Sequence, residues 1–498
     1  MRHYLLIALL ALAAFGATAG GSFHFDDYSL FRSPAVVNPD GWRDVFRLDQ
    51  TRPLTYLSFW LNYQAGGRNP VGYHLLNLAL HVASALLLFR VARLVVPYRA
   101  ALIAAALFAV HPLLTQSVAY VFARGTLLMT VLCLLSLHTW LRERIWLATA
   151  LFAAALLAKE ECVAFPVFLL LLHFSVSRRR REFAAIGAML ALALAAGLRV
   201  FYAISITPAA GSGSQAGVTP FAYLAAQGPV ILRYLRQVAI PWGFSVDPQI
   251  GPYPAWLTVV CWTTVLASAA LWSRNTRAGF WFIAGLVLLL PSSSILPASD
   301  LAADRRMYLP MVAMTVAAGL ILERVDWRAT AAIAAVLCAI SIRYSLLWLT
   351  EESLWSEAVA LAPAKVRPRI QLSRAVTPPR ALEILQQTET IAPSDPAIAS
   401  EEGRIYLSAG MAAQALSAFG RALALAPGNA EAIQNRGVAL LALGQSEGAR
   451  QDFERAIQAN PCLFEARMNL RRMGVPFAQV PPACRFTSEE LSKLAGTH

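Results

Sequence analysis

Long apolar runs fill most of the first 350 residues of this chain and constrain its fold more than any other feature. A window of about 19 residues, the length of a helix that crosses a bilayer, predicts about eleven membrane spans. They lie near residues 4–20, 72–96, 100–122, 124–141, 145–159, 161–176, 183–206, 255–272, 279–297, 306–323 and 329–349. The fifth and sixth spans are short and nearly continuous, so a tilted, re-entrant or differently divided pair stays open.

The composition excludes several other classes of protein. Apolar residues make up 57% of the 498 residues and charged residues 14%, whereas soluble domains have about 25% charged residues. Because a soluble fold needs more polar surface than this, a wholly soluble or disordered protein is excluded. Six cysteines in the whole chain also exclude a scaffold held together by disulfides.

The positive charge of the membrane half lies in short clusters between the apolar runs. If the N-terminus is cytoplasmic, five arginine-bearing loops face the cytoplasm, as the positive-inside rule requires. They carry Arg90, Arg93 and Arg99; Arg142 and Arg144; Arg178–Arg181; Arg274 and Arg277; and Arg324 and Arg328. The net charge of +13 therefore indicates membrane orientation, and no nucleic-acid partner is expected. The first run also resembles a signal peptide, and removal of residues 1–19 would leave ten spans with the same orientation.

A self-similar segment follows the apolar half. An offset of 34 residues, the period of tetratricopeptide repeats, brings glycines, aromatic residues and prolines into register. The matched pairs include Gly403 with Gly437, Gly410 with Gly444, Phe419 with Phe453 and Pro427 with Pro461. Because such repeats stack into a solenoid with a concave face, we expect protein recognition, with a cap or dimerisation module as the alternative.

The predicted fold class is therefore all-α, with a polytopic helical membrane domain followed by a C-terminal solenoid. The membrane domain covers 1–350, with outer loops at 21–71 and 207–254. Connecting helices cover 351–380, the repeats 381–475 and a tail 476–498. The same orientation places the repeats outside the cytoplasm, where Cys462 and Cys484 would form a disulfide; two free buried thiols are the alternative.

Ionisable residues at the ends of membrane spans are candidate functional residues, because placing them there is costly. Asp26 and Asp27 directly follow the first span. Adjacent carboxylates repel, which suits a general base or a metal ligand, and a helix-capping pair is the alternative.

Lys159 is the only lysine of the membrane half. Its ammonium group suits a phosphate oxygen, and a structural pair with a neighbouring glutamate is the alternative.

Further charged and polar residues accompany these two positions. Asp304, Arg305 and Arg306 open the tenth span on the outer face, where arginine forks at a helix N-terminus suit an anion; a surface salt bridge is the alternative. Arg124 and Arg199 would complete a cationic pocket. A polar stripe on the second span favours hydrogen bonds between helices over metal binding. It consists of His74, Asn77 and His81.

The order of these motifs along the chain carries a family resemblance. The motifs are Asp26-Asp27, Asn38-Pro39-Asp40, Trp42, Arg52-Pro53-Leu54-Thr55, Leu61-Asn62-Tyr63, Gly67, Asn69-Pro70, Gly72, His74, Asn77, His81, His111-Pro112, Arg124, Ala158-Lys159-Glu160 and Arg305-Arg306-Met307-Tyr308-Leu309-Pro310, followed by the repeats. Over nearly its whole length the chain resembles the transmembrane and tetratricopeptide-repeat O-mannosyltransferases of the GT-C glycosyltransferase superfamily, as a bacterial relative.

The resemblance implies an enzyme that moves a sugar from a polyprenyl-phosphate donor to a hydroxyl acceptor, expected to be a protein Ser or Thr. The reaction would take place on the outer face of the bacterial inner membrane. Asp26 or Asp27 would be catalytic. The donor phosphate would be bound by Lys159, Arg305, Arg306 and Arg124. The supporting residues would be Glu160, which orients Lys159, with Asp304, Tyr308, His74, Asn77 and His81.

The resemblance leaves three matters open. A divalent metal at Asp26 and Asp27 is one, because the sequence identifies no further ligand, and no other cofactor is expected. The acceptor is another, because the repeat array is short and the loop 207–254 has no match, so a glycan or lipid acceptor is an alternative. The third is a scaffold without enzymatic activity, in which the repeats hold a partner subunit.

Overall fold

The computed structural model describes residues 1–174, 180–206, 218–251, 253–273, 277–294, 297–298, 300–475, 480–481 and 484–495. The secondary-structure elements of these residues are helices, so the all-α fold class is confirmed. The chain divides into two compact units. The first consists of Met1–Tyr28 and Asp40–Thr350, and the second of Ser29–Pro39 and Glu351–His498.

The first unit is built from α-helices joined by short 3-10 turns. The α-helices are Arg2–Phe15, Pro53–Gly66, Pro70–Ala92, Tyr98–Val110, Thr115–Ala119, Arg124–Leu141, Ile145–Ala158, Phe165–Leu172, Arg180–Ile206, Pro220–Ala239, Ala255–Ser273, Arg277–Leu289, Tyr308–Leu322 and Trp327–Leu347. The 3-10 turns that matter for the site are Phe25–Arg32, Val121–Ala123, Glu160–Ala164 and Asp304–Met307. One large apolar core joins most of these helices.

The length and apolarity of these helices identify a multi-pass membrane protein. Within the described residues, seven helices are long and apolar enough to cross a bilayer, and a bent pair provides an eighth. The pair is Tyr98–Val110 with Pro112–Ala119, bent by 51°. Pro112 has no N–H to continue the helix, which accounts for the break.

Three of the predicted spans are too short in the structure to cross a bilayer as single helices. Ile145–Ala158 and Arg277–Ser292 are apolar helices below the length of a full span. The predicted span 161–176 begins as a 3-10 turn and continues as the short helix Phe165–Leu172. Arg178, Arg179 and Arg274, which were assigned to cytoplasmic loops, lie outside the described residues.

The predicted outer loop 207–254 contains a helix that the apolar runs do not indicate. The helix Pro220–Ala239 begins after Thr219, whose side chain accepts a hydrogen bond from the Ala222 N–H. Its buried faces include Gln227 and Gln237, which lower its hydropathy below that of a span. This helix turns out to hold the start of the predicted tenth span.

The second unit consists of helices stacked in pairs. They are Glu351–Leu361, Val366–Ala375, Pro378–Ile391, Pro396–Ser408, Ala412–Leu425, Ala430–Ala442, Ser446–Ala459, Phe464–Arg472 and Ser488–Ala495. A Cβ at Gly403 would lie 2.7 Å from the ring of Phe419, and a Cβ at Gly437 would lie 2.7 Å from the ring of Phe453. Only glycine lets the two helices of a repeat pack around the aromatic ring, which accounts for the 34-residue match.

The ends of the second unit are held by two further contacts. A disulfide joins Cys462 to Cys484. The segment Ser29–Pro39, which comes from the first outer loop, is also part of this unit. Within it, the Asn38 Oδ1 accepts a hydrogen bond of 3.1 Å from the Ser488 N–H.

Candidate functional site

The two adjacent aspartates of the first outer loop have different environments. Asp27 is fully buried, and each of its carboxylate oxygens accepts a backbone N–H: Oδ2 from His24 at 2.9 Å and Oδ1 from Phe122 at 2.7 Å. Burial raises the pKa of Asp27 to about 8, and the charge of Asp26 adds to this, while the two backbone bonds and Arg124 oppose it. Asp27 therefore ties the loop to the 121–123 turn and is poorly placed to contact a substrate.

Asp26 is the accessible member of the pair. It is exposed, and its Oδ2 accepts a hydrogen bond of 2.8 Å from the Tyr120 hydroxyl. Phe25, directly before it, has a φ of +45°, a conformation that is uncommon and costs energy for a bulky residue. Asp26 is therefore the aspartate that a substrate can reach, and its catalytic role stays a prediction.

Tyr120 belongs to this site, although the sequence did not single it out. Its ring is buried against Phe25 and Trp348, with ring centroids 5.6 and 6.1 Å apart. The guanidinium of Arg305 lies 6.0 Å from the centroid of the Tyr120 ring. Tyr120 therefore links the acidic residue to a cation of the predicted donor site. The only sequence signal was its place near the end of the predicted span 100–122.

Lys159 lies at the junction between two short helices. Its side chain is buried, and Nζ donates to the Thr126 hydroxyl at 2.8 Å and pairs with the Glu161 Oε1 at 2.9 Å. Burial lowers the pKa of Lys159; the charge of Glu161 raises it, and the nearby charges of Arg52 and Arg305 lower it further. Several positive charges therefore converge around this ammonium group.

The role expected for Glu160 is corrected by this geometry. Glu160 binds Arg52 through two hydrogen bonds of 3.0 and 2.5 Å. Burial alone would raise the pKa of Glu160, but the charge and hydrogen bonds of Arg52 lower it to about 2. Lys159 is extended and Glu160 opens a 3-10 turn, so Glu161 is the carboxylate that contacts the ammonium group.

The segment that opens the predicted tenth span presents only one of its two arginines to the site. The Arg305 side chain is a quarter exposed and pairs with the Asp300 Oδ2 at 3.3 Å, while its backbone N–H donates to Gln116 at 2.8 Å. Arg306 is buried and donates to the Tyr223 hydroxyl and to the carbonyls of Leu301 and Asp300. Arg306 is therefore a structural residue.

Asp304 and Tyr308 support this segment from inside. Asp304 is buried and pairs with Arg233 of the helix Pro220–Ala239 at 2.7 Å. The Tyr308 hydroxyl and the His81 Nδ1 form a buried hydrogen bond of 2.8 Å. Both residues stabilise the position of Arg305 without facing the site.

Arg124 was expected to bind phosphate, but its contacts assign it to the packing beneath the site. Its guanidinium is fully buried and lies 4.4 Å from the centroid of the Phe59 ring. It donates to Asn77 Oδ1 at 2.9 Å and to the Tyr73 carbonyl at 3.1 Å, and a third nitrogen donates to Ser58. A guanidinium with these partners is a positioning group, because a phosphate could bind it only by displacing them.

The polar stripe on the helix Pro70–Ala92 connects the segments around the site. Asn77 Nδ2 donates to the carbonyls of Val118 and Tyr120 at 3.3 and 3.1 Å. The His74 Nε2 lies 3.3 Å from the Ser22 carbonyl. These bonds hold the two chain segments that carry Asp26 and Tyr120. Arg199 likewise binds the loop carbonyls of Arg47, Leu48 and Gln50.

The contacts at Asp27 also bear on the open question of a divalent metal. Both of its oxygens are taken by backbone N–H groups, so Asp26 and Asp27 do not form a shared pair of ligands. In the part of the chain that the structure describes, no group of three His, Cys, Asp or Glu residues is suited to a metal.

Comparisons with known proteins identify relatives of both parts of the chain. The tetratricopeptide-repeat family matches residues 406–467. Protein O-mannosyl-transferase Tmtc1 of Drosophila melanogaster is 46% identical over 22% of this chain and 14% of its own length. Protein O-mannosyl-transferase F38B6.6 of Caenorhabditis elegans is 24% identical over 76% of this chain and 60% of its own length. The matches thus span between 14% and 60% of these two relatives.

Among solved structures, ArnT from Cupriavidus metallidurans bound to undecaprenyl phosphate aligns with 91% of this chain and 79% of its own. The sequence identity is 14% and the TM-score 0.40, which is too low to define a shared fold. The chain is therefore similar in sequence to proteins named protein O-mannosyl-transferases, and its membrane helices are followed by a segment that matches the tetratricopeptide-repeat family.

Proposed function

We propose that this protein is a membrane glycosyltransferase of the GT-C type, which moves a sugar from a polyprenyl-phosphate donor to a protein Ser or Thr. The observation that carries the proposal is the arrangement of Asp26, Tyr120, Arg305 and Lys159. It provides one exposed carboxylate with a fixed orientation and two cations in the same unit. The names of the sequence relatives supply the reaction class.

In the proposed reaction, Asp26 is the general base. It takes the proton of the acceptor hydroxyl as the acceptor oxygen forms a bond to the anomeric carbon. The bond between that carbon and the phosphate oxygen breaks, and its electron pair stays with the phosphate. The products are the glycosylated acceptor and the polyprenyl phosphate. Tyr120 keeps the Asp26 carboxylate in position by its hydrogen bond.

Lys159 and Arg305 stabilise the negative charge that grows on the departing phosphate. The Lys159 ammonium has three donors, and Thr126 and Glu161 account for two contacts. The Arg305 side chain is a quarter exposed and pairs with Asp300 at 3.3 Å. Charge stabilisation of this kind typically accounts for about 10²–10³ in kcat per donor group.

We further propose that the site and the repeats face the non-cytoplasmic side of a bacterial inner membrane. Two features support this orientation: the arginine clusters between the spans and the Cys462–Cys484 disulfide, a bond typical of oxidising compartments. The repeats would then bind the acceptor protein, since stacked helix pairs commonly bind extended peptides.

The proposal is tested by sugar transfer in membranes that contain the full-length protein and radiolabelled polyprenyl-phosphate sugars. We expect label in a protein fraction with the wild type, and a loss of at least about 100-fold with Asp26→Asn and Lys159→Ala. Glu352→Gln, at an exposed ion pair with Arg380 in the second unit, is the matched control and should retain full activity.

Two outcomes would redirect the proposal. Label in a lipid or glycan fraction alone would change the acceptor class. A folded wild type that transfers no sugar from any donor would favour a scaffold that holds a partner through its repeats.

A further inference from the structure

Four cations around the site each pair with one carboxylate, and the pairs are of two kinds. Two are firmly held: Arg52 with Glu160 through two hydrogen bonds, and Arg233 with Asp304 through a contact of 2.7 Å whose carboxylate is almost fully buried. The other two pairs contain the cations that we assign to the donor phosphate, Lys159 and Arg305.

The carboxylates of the second kind are each about a quarter exposed, as Glu160 of the first kind also is. Glu161 pairs with Lys159 at 2.9 Å, and its side chain is 24% exposed. Asp300 pairs with Arg305 at 3.3 Å, and its side chain is 26% exposed. Each cation that we assign to the donor phosphate thus has a carboxylate of the protein beside it. A phosphate bound to that cation would be repelled by the carboxylate.

These carboxylates act more strongly on the product than on the donor. A phosphate that is esterified to both a lipid and a sugar carries one negative charge, whereas the lipid phosphate left after transfer carries about −1.5 to −2 at pH 7. Because Coulomb repulsion is proportional to charge, a fixed carboxylate disfavours the product by up to about twice the energy by which it disfavours the donor.

We propose that Glu161 and Asp300 keep the affinity of the site for the polyprenyl-phosphate product low and so promote its release. This inference rests on the proposed function, since it takes the lipid phosphate as the leaving group. The pairs Arg52–Glu160 and Arg233–Asp304 lie outside this inference, because neither Arg52 nor Arg233 is assigned to the donor phosphate.

The experiment measures binding of a short-chain polyprenyl phosphate to the purified full-length protein, without turnover, and its inhibition of sugar transfer. The variants are Glu161→Gln, Asp300→Asn and the double variant, with Glu352→Gln as the control on an exposed ion pair. We expect the Kd and the inhibition constant for polyprenyl phosphate to fall about tenfold in each single variant, and the donor KM by about threefold. Thermal unfolding identifies any variant that fails to fold, and the two single variants test the inference independently.

An unchanged or weaker affinity for polyprenyl phosphate in both folded variants would overturn the inference, as would a wild type and variants that bind none. Its failure is distinguishable from that of the proposed function. A wild type that transfers no sugar, together with variants that bind polyprenyl phosphate more tightly, would refute the transfer reaction and leave the binding role in place. Normal sugar transfer with unchanged affinities for polyprenyl phosphate would leave the proposed function in place and refute the role of Glu161 and Asp300.

Discussion

At the scale of single residues, burial separates groups that are adjacent in the chain. Asp26 is exposed, whereas Asp27 is buried with both oxygens bonded to backbone N–H groups. Arg305 keeps contact with solvent, while Arg306 is enclosed by Tyr223 and two carbonyls. The exposed member of each pair is available for a substrate, and the buried member fixes the backbone that carries it.

The two aspartates should therefore respond differently to substitution. Asp26→Asn removes the proposed general base and is expected to lower kcat by about 10²–10⁴-fold at unchanged thermal stability. Asp27→Asn places an amide group against a backbone N–H and should cost about 1–3 kcal/mol of unfolding free energy. Turnover and thermal unfolding, measured on both variants, check this. Equal losses of activity at equal stability would contradict the division of roles.

Asp27 should also make stability depend on pH. Its pKa is about 8 in the folded protein and 3.8 without the burial, so the folded state binds the proton more tightly. The stabilising contribution is fully present below about pH 4 and is lost as the pH rises to about 8. Thermal unfolding of wild type and Asp27→Asn across this range should show a smaller decline in the variant. Parallel curves would contradict the prediction.

Tyr120 offers a test of positioning with a matched control. Tyr120→Phe keeps the ring contacts and removes the hydroxyl that donates to Asp26, so kcat should fall about 10- to 100-fold at unchanged donor KM. Tyr73→Phe removes another buried hydroxyl, which donates to the Gly67 carbonyl at 3.0 Å, and should lower the thermal stability without a loss of kcat. A loss of kcat in both variants alike would assign Tyr120 a structural role only.

At the scale of elements, breaks between helices create the site. The bent pair ends at Ala119, and Tyr120 follows it before the next span. Lys159 is extended between two helices, and Arg305 lies in a 3-10 turn at the start of another. Hydropathy locates the helices around each break, but it carries no information on which side chains the breaks bring together.

The repeat helices depend on glycines that contact aromatic rings. A Cβ at Gly437 would lie 2.7 Å from Phe453, so Gly437→Ala should destabilise its helix pair by about 1–3 kcal/mol. Gly428→Ala is the control, because nothing lies within 4 Å of the added methyl group. Hydrogen exchange in the full-length protein should increase over 430–459 in the first variant alone. Equal exchange in both variants would exclude the steric explanation.

At the scale of the whole molecule, the proposed orientation places the repeats and the arginine loops on opposite sides of the membrane. Ser446→Cys in the repeats and Arg142→Cys in a short loop are both exposed positions. An impermeant thiol reagent should label the first in intact cells and the second only after permeabilisation. The free cysteines of the described residues are buried or half-buried and add little background. Reversed labelling would invert the topology.

The sequence by itself determined the helical membrane domain, the repeats and the motifs of the site, because hydropathy and a 34-residue period are properties of contiguous residues. It also identified Asp26, Lys159 and Arg305 as candidates. Only the tertiary structure decided that Asp27, Arg124 and Arg306 are structural, that Glu161 contacts Lys159, and that Tyr120 binds Asp26. These distinctions depend on burial and on partners from distant segments, and neither is encoded in local spacing.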